Sequence, residues 1–365
     1  MFIELHFIQN FAPSNLNRDD TNNPKDCDFG GVRRARISSQ CLKRAIRQAP
    51  IFSETTKVDN GLRTRWLARR MKDDLMKAGK PESEAISLAN EFAKTYASKL
   101  EKSNEKEISR TSVLVFVSSQ EINEAVNSLL QGQAVVAAAE SLAKKSKKRT
   151  SAPDIAMFGR MLAEKPDLNL DAACQVAHAI STHRVNMEMD FFTAVDDFQE
   201  QETDETGAGM MGVVGFNSAC FYRYACLDWN QLLTNLAGEQ DLAKRTLEAF
   251  LRAAVIAVPS GKQNSFAAQN PPSFLLAVIR KDGMNWSLAN AFEKPISATR
   301  EDGLIANSVK ALDAYWGRLI KVFGGAQVIP IALSIDEDLP LSALKGSVMA
   351  DQKSWIDAIL TSLDH

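Results

Sequence analysis

The chain runs to 365 residues, 45% hydrophobic and 24% charged, with a formal net charge of −2 and a pI near 6.2. That length can bury a large core and build two structural units, one inserted in the other. No apolar run approaches the roughly 20 residues needed to cross a bilayer, the start MFIELHFIQNF has no basic leader, and Cys27, Cys41, Cys174, Cys220 and Cys226 show no CxxC pairing; a cytoplasmic chain with reduced thiols, without zinc or another cofactor, is expected.

Ile3, Leu5 and Phe7 alternate with Glu4 and His6, which predicts a strand over 2–8. A long loop then leads into a cationic block. Between Phe29 and Ser53 there is no carboxylate, yet Arg33, Arg34, Arg36, Lys43, Arg44 and Arg47 all fall there. On a nearly neutral background such a block points to a polyanion, nucleic acid first. Gly30 and Gly31 can turn backbone amides toward a phosphate. Ser38 or Ser39 suits the N-cap of a helix over 38–49, with Leu42, Ala45, Ile46 and Ala49 on one stripe and Gln40, Lys43, Arg44 and Arg47 opposite. Two readings stand side by side: a solvated basic face, or cations gathered beside a helix N-terminus to bind phosphate.

From 63 to 182 the pattern is almost wholly helical, with helices predicted at 63–79, 82–101, 119–131, 133–146, 153–164 and 170–181, and a capping box at Ser118 and Glu121. SVLVFV at 112–117 is either a strand or a buried helical start. Strands follow near 184–196 and 213–227, separated by an acidic stretch that contains Gly and Met. A helix over 239–257 stops at Pro259 and Gly261, a strand covers 273–280, and helices near 304–323 and 351–363 come last. Without the helical block and the acidic excursion the order is β-α-β-β-α-β, an α+β, ferredoxin-like arrangement. The aromatic motif of RNA-recognition domains is absent, so any RNA would bind by another surface.

Other candidate sites are weaker. His178 and His183 are five apart, which on a helix gives them no shared metal-facing side. PSGKQNS at 259–265 fails as a P-loop, although Lys262 in a Gly-containing loop can still reach a phosphate. KKSKKR at 144–149 (Lys144, Lys145, Lys147, Lys148) reads as a solvated helix end or a nucleic-acid contact. The carboxylates between Asp196 and Glu205 suggest an exposed hairpin tip rather than a magnesium site. Asp19, Asp20, Asp26 and Asp28 flank the cationic block and either cap turns and pair with Arg18, or support RNA cleavage.

LNRDD at 16–20, KD at 25–26, FGG at 29–31, RRARISSQCLKRAIR at 33–47, AHAISTH at 177–183, DFFTAVDD at 190–197, FYRYA at 221–225 and NAFEK at 290–294 closely resemble the CasC family. That family supplies the repeated backbone subunit of Cascade, the type I-E CRISPR surveillance complex. The resemblance implies a hand-like chain: a ferredoxin-like palm (1–54 and 177–365), helical fingers (55–176) and a thumb hairpin near 186–215. It also implies several copies stacked head to tail on one CRISPR RNA (crRNA), each flipping a nucleotide at a regular interval so that the guide can pair with target DNA. Lys25, Ser38, Gln40, Lys43, Arg44 and Arg47 would grip the RNA backbone, with Arg18 and Lys262 as additions. Met161, Phe192 and Val195 would wedge against the bases. Implied partners are crRNA, target DNA, further copies of the chain, the large and small Cascade subunits, the subunit capping the crRNA 5′ end, and the crRNA-processing endoribonuclease. The role that the resemblance implies is non-catalytic. The alternatives are a metal-dependent RNase of the type III backbone kind, using Asp26 or Asp28, and an RNA-binding module that acts as a single copy.

Overall fold

The predicted N-terminal strand forms and is longer than expected, β1 (Phe2–Ser14). Despite the alternation, Glu4, His6 and Gln9 are as buried as Ile3, Leu5 and Phe7. The polar side chains have partners that make burial tolerable. Glu4 pairs with Arg280 at 3.0 Å and accepts from Tyr224 Oη at 3.0 Å. His6 Nδ1 lies 2.9 Å from Tyr222 Oη, and complete burial pushes the imidazole down to about 3, so it stays neutral.

The structure is a computed structural model that describes residues 1–97, 99–101, 107–147, 149–162, 166–194, 210–339 and 341–364. The remaining strands are β2 (Asp26–Phe29), β3 (Val32–Ile37), β4 (Leu62–Thr64), β5 (Val115–Val117), β6 (Cys174–Val176), β7 (Ala179–Ser181), β8 (Glu188–Ala194), β9 (Met210–Asp228), β10 (Phe274–Arg280) and β11 (Val328–Ser334). The main sheet has the order β11-β10-β1-β9-β7-β3-β2. Within it β1, β7, β9 and β10 are the four ferredoxin-like strands: the fourth lies beside the first, the first beside the third, the third beside the second. Helix Ser39–Gln48 connects the first strand to the second, and helix Gln240–Ile256 connects the third to the fourth. The α+β, ferredoxin-like expectation holds, except that the second strand is β7 and not the strand expected near 184–196, which is β8 and pairs with the start of β9.

By packing, the chain divides into one unit of Ala49–Gln175 with Leu227–Ala253, and another of Phe2–Gln48, Val176–Cys226 and Ala254–His365. The first is built on helices Leu67–Lys77, Glu82–Ala97, Ser119–Leu130 and Val135–Ser146, which bury Met71, Leu75, Phe92, Ile122 and Leu142 in a common core. Ser118 and Glu121 form the predicted capping box. The second unit carries the sheet, with Phe274, Leu276, Val309, Leu312 and Trp316 in one core cluster and Phe11, Ile37, Leu42 and Phe221 in another.

Several local expectations fail. The helix predicted at 170–181 is instead two short strands, β6 and β7, each paired with β9. Small residues such as Ala173, Cys174 and Ala179 fit either state, and sheet partners decide. The helix predicted at 153–164 spans only Pro153–Phe158. It ends at Gly159, whose φ is +76° and where a Cβ would sit 2.8 Å from the Leu170 carbonyl. The β2–β3 hairpin, β11 and helices Pro50–Thr56 and Trp229–Asn235 are additions that the sequence pattern does not foresee.

Candidate nucleic-acid interface

The cationic segment folds as a hairpin followed by a helix. Phe29 pairs with Val32, and Gly30 and Gly31 (φ +61° and +75°) make the two-residue turn between them. The glycines thus serve the hairpin, and a Cβ on Gly30 would fall 1.8 Å from the Glu293 carbonyl oxygen. Helix Ser39–Gln48 then buries Leu42 and Ile46 as the stripe predicted. Ser38 is its N-cap, accepting from the Cys41 amide at 3.3 Å. Gln40 and Arg44 are exposed, and Lys43 and Arg47 are half-buried.

Asn17 ties the preceding loop to this helix start. Its side-chain oxygen accepts from the Ser38 amide at 2.7 Å, and its carbonyl accepts from the Lys25 amide at 2.8 Å. Asp19 shapes the loop between them. Its Oδ1 accepts from the Thr21 amide and hydroxyl and from the Asn23 amide, and these bonds, the Thr21 hydroxyl first, hold its carboxyl below the usual range. Arg18 donates to Asn22 Oδ1 at 3.4 Å on the same exposed loop. The Lys262 loop comes against it: a Cβ on Gly261 would lie 2.3 Å from the Leu16 carbonyl oxygen. Lys262 holds a left-handed backbone (φ +51°), unusual for a side chain of its size. Within one unit, therefore, loops 15–25 and 259–262 meet at the start of a basic helix. Ser38 and Gln40 lie at that helix start and Arg18 and Lys25 on the loop tied to it, while Lys43 and Arg44 follow along the helix and Arg47 stands in its last turn. Lys262 follows Gly261 in the second loop.

The three hairpin arginines differ. Arg34 is fully buried and donates to the carbonyls of Phe29, Ser181, Phe292 and Glu293 at 2.7–3.2 Å, so it holds the fold together. Arg33 is exposed and pairs with Asp26 at 2.8 Å and Asp28 at 3.3 Å. Arg36 donates to the Asp26 carbonyl at 3.2 Å and contacts His178 Nδ1 at 2.9 Å. The helical geometry assumed for the two histidines does not apply, because both lie beside β7. His183 accepts from the Cys220 amide at 3.1 Å. Among the described residues, no three His, Cys, Asp or Glu side chains come together as a metal site. A cleft of about 590 Å³ opens beside the hairpin, with Asp26, Asp28, Arg33, Arg184, Asn186 and Asn217 in its lining.

A family model described as CT1975-like protein matches residues 3–361. The chain belongs to that family. Two solved chains share the fold of this CT1975-like protein. One, from a "CRISPR RNA-guided surveillance complex, pre-nicking", has TM-score 0.88 and 32% identity and covers 99% of this chain and 100% of its own. Another, from a "CRISPR RNA-guided surveillance complex", has TM-score 0.74 and 27% identity with the same coverage. No curated protein sequence matches.

The expected wedge residues of the CT1975-like chain are not all placed. β8 pairs with the start of β9 in a hairpin, where Phe192 lies opposite Gly212 and packs its ring over that glycine. Met189, Phe191, Met210, Met211 and Val213 on this hairpin are each at least 59% exposed. Met161 is 85% exposed and belongs to the other unit. Val195 and the acidic stretch fall at 195–209, and Lys148 falls at 148, all outside the described residues. Lys145 of the basic run pairs with Glu124 at 3.2 Å. Sequence patterns do not single out Asn17, Arg36 as distinct from its neighbours, or His178 as an arginine partner. Their one legible signal is proximity to the cationic block. Among the described residues no helix is long and apolar enough to cross a membrane.

Proposed function

We propose that this chain is a non-catalytic RNA-binding scaffold of a Cascade-type, type I-E surveillance complex. Copies polymerise head to tail along the crRNA spacer and grip its phosphate backbone. They flip nucleotides at regular intervals, and the guide then pairs with target DNA. In this reading residues 1–54 and 177–365 are the palm, 55–176 the fingers, and 186–215 the thumb. The large and small subunits, the 5′-end cap subunit and the crRNA-processing endoribonuclease are the other partners.

One observation carries the reading: loops 15–25 and 259–262 converge on the capped N-terminus of a helix that bears Lys43, Arg44 and Arg47. Cations along a helix and the positive end of its dipole attract phosphate without reading bases. A subunit that must accept any spacer needs that indifference, and guide pairing then supplies specificity. The 32% identity over 99% of the chain to a protein of an RNA-guided complex supports it further. Asp26 and Asp28, the candidates for RNase chemistry, are both engaged by Arg33. Cutting of paired RNA that needs magnesium and disappears in Asp26→Ala or Asp28→Ala would replace the scaffold with an enzyme.

The double variant Lys43→Ala, Arg47→Ala tests the reading directly. Its affinity for two RNAs of unrelated sequence should fall by the same factor. The slope of log affinity against log salt should shrink by about 1.4, roughly 0.7 for each single-strand phosphate no longer neutralised. A folded double variant with parental affinity and slope would refute it.

A further inference from the structure

We infer that Arg36, held in place by His178, is a further phosphate-gripping cation of the same site, with His178 as its positioning residue. The inference rests on the RNA-binding reading above and adds two residues to it.

Register brings the two side chains together. Ile37 on β3 pairs with Ala179 on β7, and both are buried. Side chains alternate along a strand, and directly paired residues share a face. Arg36 and Ser38 therefore lie on the face opposite Ile37, and His178, one residue before Ala179, lies on that face too. Arg36 stands beside Lys25, whose carbonyl accepts the Arg36 amide at 2.9 Å. Lys25, Arg36, Ser38 and His178 thus converge where the loop, the hairpin and the helix N-cap meet.

The partners of Arg36 decide its role. Arg33 is neutralised by two carboxylates, and Arg34 is buried with four carbonyls around its guanidinium. Arg36 is half-buried, and its two anchors are uncharged: the Asp26 carbonyl at 3.2 Å and His178 Nδ1 at 2.9 Å. A guanidinium has only donors, so His178 must accept at Nδ1 and carry its proton on Nε2. Partial burial and the nearby Arg36 and Lys25 keep the imidazole pKa below its ordinary value, consistent with that neutral form. Neutral anchors fix the direction of the guanidinium without cancelling its charge. Among the described residues two of its five N–H donors are used, and the others can fork onto a phosphodiester. The carboxylate of Asp26 is taken up by Arg33, and what holds Arg36 is a backbone carbonyl and a neutral imidazole, so an anion between Arg36 and Lys25 is favoured.

The test uses the full chain and two fluorescently labelled single-stranded RNAs of unrelated sequence, titrated over a range of salt. Arg36→Gln should lower affinity about tenfold, the effect of removing one charge-assisted hydrogen bond, and reduce the salt slope by about 0.7. His178→Ala should weaken binding severalfold. His178→Asn should recover most of it, because an amide oxygen can accept where Nδ1 did. If Arg36→Gln does not fold, Arg36→Lys serves instead: it keeps the charge, loses the fork, and should bind less tightly with an unchanged slope. Parental affinity in the folded arginine variant, or equal losses in His178→Ala and His178→Asn, would overturn the inference. If Lys43→Ala, Arg47→Ala also leaves binding untouched, the RNA-binding reading itself falls. If that double variant binds weakly while Arg36→Gln binds normally, only the role given to Arg36 and His178 is lost.

Discussion

Replacing Arg34 by methionine would leave the carbonyls of Phe29, Ser181, Phe292 and Glu293 without their donor at a site with 0% exposure. Buried acceptors stripped of a charged donor cost about 3 kcal/mol or more in total. Arg33→Met removes only exposed ion pairs and should cost far less. Urea unfolding of the two variants should give clearly separated midpoints, and coincident midpoints would contradict the division of roles. Nothing in RRAR marks one arginine as structural. The partners of Arg34 at Ser181 and Phe292 lie far along the sequence, so its burial is decided by tertiary contacts. The sequence locates the cationic block but does not assign its members. Asn17 is hidden for the same reason, since its hydrogen bond to Ser38 joins residues on opposite sides of a hairpin.

Helix Ser39–Gln48 is the most legible element, because an apolar stripe and an N-cap serine are local signals. The hairpin in front of it is less so. Gly30-Gly31 between Phe29 and Val32 is a two-residue turn signal, but beside so many cations it reads equally as a device for meeting phosphate. Gly30→Ala should therefore act first on stability. A β-carbon there is strained at φ +61° and would overlap the Glu293 carbonyl, so a loss of about 2 kcal/mol or more is expected. Gly31→Ala, with nothing within 4 Å of the added carbon, should cost only about 1 kcal/mol. Thermal unfolding ranks the two, and the reverse order would show that packing against Glu293 is unimportant. The failed helix at 170–181 has a related cause. Its residues are small enough to suit either state, and the β7 pairings with β3 and β9 determine the outcome.

At the scale of the whole molecule, the ferredoxin-like class is readable but its second strand is not. That place belongs to β7, inside the stretch that reads as helical, while the strand expected near 184–196 is β8, paired with the start of β9. The unit boundaries are also less readable, since most of helix Gln240–Ile256 packs with the helical unit. If the exposed hairpin of β8 and β9 meets the next copy in the proposed head-to-tail stack, assembly is separable from folding. Phe191 and Val213 are directly paired and each 62% exposed, so Phe191→Ser with Val213→Ser should shift the unfolding midpoint little. Particle mass on a long RNA should nevertheless drop toward that of single copies. Full-size particles from this variant would remove the hairpin from copy-to-copy contact. The position of β1 has a further consequence, at the ribosome. Its Ile8 pairs with Phe274, so this apolar strand emerges early and waits for nearly the whole sheet to be translated. At about 5–20 residues per second that wait is on the order of tens of seconds. Nascent chains must be shielded from one another during it, and overexpression should yield aggregates seeded by unpaired β1 unless synthesis is slowed or chaperones are abundant.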